Sequence, residues 1–123
     1  MKLFHYSHNN EELTVHNGLC MADDPWVCHR YAQGAKTGAY YAVEVPDAII
    51  STIEENFSYQ DNDHSTDAAA GRKAYADAGH IVIRYNDVDP SGNEHDTYRV
   101  VVDGLALDLV KIQVDEDGYE VEA

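Results

Sequence analysis

Positive charge is what this sequence has least of. Its 123 residues carry 8 Lys+Arg against 23 Asp+Glu, a formal net charge of −15. A surface of that sign repels phosphate backbones, so direct nucleic-acid binding is not expected. Cysteine is scarce too. Cys20 and Cys28 are the two present, too few for a disulfide scaffold and suited to a reducing cytoplasm. No apolar run reaches the roughly 18 residues that cross a membrane. The opening stretch, MKLFHYSHNN, lacks the apolar core of a secretion signal. A cytoplasmic protein without membrane contact is the expectation. P-loop, GxGxxG, GxSxG and HExxH signatures are all missing. Cys20, Cys28, His29 and His5 are the natural zinc candidates, but no two of them have CxxC or HxxxH spacing, and no metal is expected. A cysteine protease pairing of Cys20 or Cys28 with a histidine competes with the commoner role of cysteine as a small buried hydrophobe.

What is present is enough for a core. Hydrophobic residues make up 44% and aromatics 10%, which excludes a disordered acidic tail and fits one domain over 1–123. Period-two alternation marks a strand over Lys2–Tyr6, and GLCMA (18–22) reads as a short buried strand. Asp24 as N-cap and Pro25 at the first helical position start a helix that runs to about Gln33. GAYYAVEV (38–45) is a strand closed by Pro46. A short helix is expected near Ile49 to Glu55, and 54–66 reads as polar loop. A second helix runs from Ser65 or Thr66 to Ala78, closed by Gly79. HIVIRY (80–85), TYRVVV (97–102) and 107–114 are further strands. Residues 86–93 form a turn-rich connection, and an acidic tail from about 115 is expected to fray. The tally, about six strands and two helices, is α+β rather than a doubly wound parallel sheet.

The order of elements carries the functional signal. His5-Tyr6-Ser7 ends the first strand. Gly18-Leu19-Cys20-Met21-Ala22 follows, then a helix bearing Tyr31, then GHIVIRYND and DTYRVVV late in the chain. This order resembles the ADP-ribosyltransferase superfamily, on the branch with His on its first strand. It is most similar to the small phage anti-CRISPR ADP-ribosyltransferases, over about two thirds of the chain. The resemblance implies two small, mostly antiparallel sheets around a cleft for NAD as co-substrate. It implies that His5 donates a ring N–H to a ribose hydroxyl and that Ser7 holds the nicotinamide amide. Tyr31 would stack on the nicotinamide ring, with Tyr6 and Met21 in the same cofactor-binding set. Breaking the glycosidic bond through an oxocarbenium-like state needs a carboxylate nearby. Family members place a Glu directly before the late-strand Tyr. This chain has Thr97 before Tyr98, so the acid must come from elsewhere. Asp87 is the first candidate, Asp96 the second, and Glu94 is also in reach.

Other readings of the same residues remain open. His5 also fits a hydrogen-bonded strand histidine, and Val27 with Tyr31 fits core packing at helical spacing. Asp87 fits a turn. At the level of function, one expectation is a mono-ADP-ribosyltransferase that modifies a basic nucleic-acid-binding protein, by the resemblance a CRISPR effector subunit. The alternative is a non-catalytic inhibitor on the same fold. Between Asp87 and Ala123 lie eleven acids and two bases, a distribution able to mimic a DNA backbone. A toxin or antitoxin partner is a third, related possibility.

Overall fold

The computed structural model describes residues 1–7, 14–32, 38–53, 66–88 and 92–121. Among the described residues, seven strands and two α-helices build an α+β domain: β1 (Lys2–Ser7), β2 (Cys20–Ala22), α1 (Pro25–Ala32), β3 (Ala39–Glu44), β4 (Ile50–Thr52), α2 (Thr66–Asp77), β5 (Val82–Val88), β6 (Glu94–Val100) and β7 (Val110–Ile112). The strand order is β4-β5-β6-β2-β1-β3-β7. Only β4 and β5 are parallel; the other pairs are antiparallel. The ladder is nearly cut in two. β1 joins β2 through one residue pair, Phe4↔Ala22, whereas β1 and β3 share six, from Lys2↔Glu44 to Ser7↔Ala39. The result is a four-stranded and a three-stranded sheet that meet at a narrow joint.

Strand alternation gives each face its own core. Phe4, Ala22 and Ala42 pack under Val27, Cys28 and Trp26 of α1. In register with them, Tyr85 and Ile83 pack under Tyr75 and Ala76 of α2. Both helices therefore cover one face. The α1 start follows from local chemistry, as the Asp24 carboxylate accepts from the Trp26 N–H at 2.9 Å. The other face carries Leu3, Met21, Val43, Val82, Tyr98 and Val100. No helix covers it. An extended strap, residues 102–109, crosses it with Leu105, Leu107 and Leu109 turned inward while Asp103 and Asp108 stay exposed. None of the helices among the described residues is long and apolar enough to cross a membrane.

Several elements differ from the sequence expectation. The helix expected from Ile49 is a 3-10 turn at Asp47–Ile49 followed by strand β4, which pairs with β5 from Ile50↔Val82 to Thr52↔Arg84. Asn86, Asp87 and Val88 extend β5 rather than turning, because Asp96, His95 and Glu94 pair with them across β6. Of the strand expected over 107–114, only Val110–Ile112 pairs with β3. The acidic tail closes a hairpin up to Val121, with Asp115 N–H to Tyr119 C=O at 2.8 Å and Val121 N–H to Gln113 C=O at 2.9 Å. Its Gly118 takes φ 92° and packs on Trp26 and His29. Gln33, the expected last residue of the first helix, lies outside the described residues.

Gly38 is required by close approach rather than by its backbone angle. A Cβ there would overlap the Ser7 carbonyl and the Tyr6 hydroxyl. Gly38→Ala is expected to destabilise the fold by about 1–3 kcal/mol, the usual cost of overpacking. A urea unfolding midpoint equal to that of the parent chain would contradict this packing.

Candidate functional site

The joint between the two sheets positions the site. Beyond Phe4↔Ala22 the backbones of β1 and β2 stop pairing, and a side chain replaces the missing ladder bond. His5 Nδ1 lies 2.5 Å from the carbonyl oxygen of Cys20. A carbonyl only accepts, so Nδ1 carries the proton. In the neutral ring Nε2 is then an acceptor. The expected donation from His5 to a ribose hydroxyl changes sign: its N–H is used on Cys20, and what it offers a ligand is a lone pair. Burial holds the imidazole pKa below the ordinary histidine value. The Cys20 carbonyl opposes that shift, and His16 and Arg99 add to it.

The pairings place a row of side chains across the strap-bearing face. Arg84 lies opposite Tyr98, and Tyr98 opposite Met21. Continuing the register across the joint sets Met21 beside His5, which pairs with Tyr41; Tyr41 in turn pairs with Lys111. At about 4.8 Å per strand, His5 and Arg84 are separated by roughly 14 Å. Ser7 and Leu3 share the face of His5 by alternation. Arg84 forms an ion pair with Asp96, Nη2 to Oδ2 at 2.5 Å, with both side chains partly exposed. The Arg84 guanidinium also sits 5.7 Å from the centre of the Tyr98 ring.

The two candidate acids fall on opposite faces. Asp96 is two residues from Tyr98 and shares the face of His5. Asp87 pairs with His95 on the helix-covered face, where the His95 ring meets Trp26 edge-on at 5.9 Å between centres. Glu94, exposed at the start of β6, is opposite Val88. Tyr6 also points to the helix face and tilts against Tyr40 at 4.9 Å. Tyr31 lies on α1, hence on the helix side of the sheet; its side chain lies outside the described residues. Of the expected cofactor-binding set, His5, Ser7 and Met21 share one face, while Tyr6 and the helix of Tyr31 belong to the other.

The residues weighed for metal or thiol chemistry are otherwise engaged. His29 hydrogen-bonds the Tyr40 hydroxyl at 3.1 Å. Burial pushes the Cys28 thiol up, so it is no thiolate nucleophile at neutral pH. Among the described residues, no group of three or more His, Cys, Asp or Glu could hold a metal ion. Sequence reasoning missed Arg84 as the partner of Asp96; the only available signal was Arg84 in HIVIRY, a cation in a chain that has few. Comparison with known proteins adds nothing to this geometry, since neither a family model nor a curated protein matches the chain.

The pH dependence of the His5 bond has a definite sign. A folded-state pKa below the unfolded value means that the unfolded chain binds more protons as pH falls below about 6.5. The contribution of His5 to stability is full above that pH and is lost on further acidification towards its folded pKa. His5→Asn keeps a donor for Cys20 without a titrating ring. It should show a smaller stability loss than the parent between pH 7 and 5. An equal loss of urea-unfolding stability between pH 7 and 5 in parent and variant would refute the buried neutral ring.

Proposed function

We propose that the chain is an NAD-dependent mono-ADP-ribosyltransferase whose co-substrate binds at the joint between the two sheets. One observation carries this reading: strands β1 and β2 part after a single pair, and a neutral imidazole with a fixed tautomer bridges them. Nε2 of His5 would accept a hydrogen bond from a ribose hydroxyl. Ser7 would hold the nicotinamide amide. Asp96 is the better placed acid, because it shares the face of His5 and Asp87 does not. Its carboxylate, held by Arg84, would stabilise the oxocarbenium-like charge as the C–N bond breaks. The acceptor would be a side chain of a basic, nucleic-acid-binding protein, with a CRISPR effector subunit of a phage host cytoplasm as the expected target. The net charge of −15 supports a basic partner.

A second reading has its own support. Asp103, Asp108, Asp115, Glu116 and Asp117 are all exposed along the strap and hairpin, a run of negative charge suited to a DNA-mimicking inhibitor without turnover. The two readings separate on co-substrate. Labelled NAD incubated with the chain and a lysate rich in nucleic-acid-binding proteins should mark one basic protein. His5→Ala and Asp96→Asn should each lower labelling by about a hundredfold or more, and Asp87→Asn should leave it within a few-fold. Inhibition without labelling, weakened steeply by salt, would replace the transferase with the mimic.

A further inference from the structure

Two of the four arginines in this acidic chain belong to one turn. The turn is His16–Leu19, closed by the Leu19 N–H to the His16 carbonyl at 3.0 Å. Gly18 takes φ 96° there, a left-handed angle that suits glycine. Arg72 reaches the turn from α2, and its Nε donates to Asn17 Oδ1 at 2.9 Å. A Cβ on Gly18 would stand 3.3, 3.5 and 3.6 Å from three atoms of the Arg72 guanidinium. The flat group therefore faces bare backbone, with its orientation set by Asn17. Arg99 backs the same place from β6. It pairs with Cys20, and its neighbour Val100 accepts from the Gly18 N–H at 2.8 Å. Arg99 is 2% exposed and lies on the face that α2 covers; a guanidinium keeps its charge even there. Cys20 is also the residue whose carbonyl holds His5. The antiparallel register sets the turn on the open side of the joint, the side on which β1 ends at Ser7.

We infer that Arg72, backed by Arg99 and seated on the Asn17–Gly18 turn, forms an oxyanion subsite that takes the diphosphate of a dinucleotide. That the dinucleotide is NAD rests on the transferase reading; the affinity for diphosphate does not. The field of a chain with net charge −15 repels such an anion, so binding needs fixed positive charge at one place. A guanidinium meets phosphate oxygens with paired N–H groups, and a bidentate contact needs its plane held. The Asn17 bond holds that plane before a ligand arrives, which lowers the ordering cost of binding. Gly18 makes the seat, since any side chain there would push the guanidinium off the turn. Arg99 adds a second charge from the interior, where water and salt screen it less. Position agrees with the site at the joint. Gly18 is two residues from Cys20, roughly 7 Å along the strand. A ribose held at His5 would carry its diphosphate within reach of the turn.

Inorganic diphosphate is the probe, titrated at low salt into the full ¹⁵N-labelled chain without NAD. The expected result is saturable movement of the Asn17, Gly18, Leu19 and Arg72 amides. Arg72→Gln should weaken binding by about tenfold or more. Arg72→Lys keeps the charge but loses the fork and should weaken it by about threefold or more; it replaces Arg72→Gln if that variant does not fold. Lys73→Gln removes the same charge one residue along α2, from an exposed side chain, and should stay within about twofold. An Arg72 that only ties α2 to the turn predicts variants with a lower urea midpoint and unchanged diphosphate shifts. That result, non-saturable shifts in the parent, or equal losses in Lys73→Gln and Arg72→Gln would overturn the subsite. NAD and ADP-ribose separate the two readings. Displacement of diphosphate by ADP-ribose, with no labelled product from NAD, keeps the subsite and removes the transferase. Labelling whose KM for NAD is unchanged in Arg72→Gln keeps the transferase and removes the subsite.

Discussion

The bond from His5 to the Cys20 carbonyl holds together a sheet that its backbone nearly leaves divided. One Phe4↔Ala22 pair is all the ladder that connects three strands to four. A net contribution near 1 kcal/mol is ordinary for a hydrogen bond. At this joint it has more consequence, because only the Phe4↔Ala22 pair shares the task among the described residues. The same bond fixes the tautomer, and the tautomer decides what the ring can do for a ligand. Structural and functional roles of His5 are thus two consequences of one proton on Nδ1.

The halves are interleaved along the chain, so they cannot act as separate domains. β1, β3 and β7 belong to one half and β2, β4, β5 and β6 to the other. The chain crosses the joint after β1, after β2, before β4 and after β6. The last crossing is the strap, and it supplies the apolar cover that the second face lacks. Leu105, Leu107 and Leu109 do the work that a third helix does in a thicker fold. The hairpin after β7 then secures the three-stranded edge, through Lys2 to Glu120 at 2.6 Å and Gly118 against α1.

Elements set by local chemistry were legible in the sequence, and elements set by pairing were not. Asp24 and Pro25 announce α1 because capping uses residues adjacent in the chain. Ile50 to Thr52 becomes a strand because β5 offers it a parallel partner, a fact absent from residues 49–55. Leu105, Leu107 and Leu109 alternate like a strand, yet they pack on side chains instead of joining a ladder. The candidate site divides in the same way. His5 could be picked out by type and position, but its partner is a backbone carbonyl, which has no residue signature. The parity that sends Asp96 and Asp87 to opposite faces is set by the β5–β6 register. No composition or spacing of the Asn-Asp-Val-Asp-Pro stretch contains it.

The acids of this chain do different jobs according to what lies beneath them. Along the strap and hairpin they project into water over aliphatic side chains, where screening limits each to a general contribution to the field. Asp96 instead is paired with the Arg84 guanidinium, Nη2 to Oδ2 at 2.5 Å. There the same unit charge acts over a defined geometry, with both side chains still partly exposed. A basic partner drawn in by the diffuse field would meet few places where its charge is read in detail. Recruitment by net charge and recognition by position are therefore separable properties of this fold, built from the same residue type.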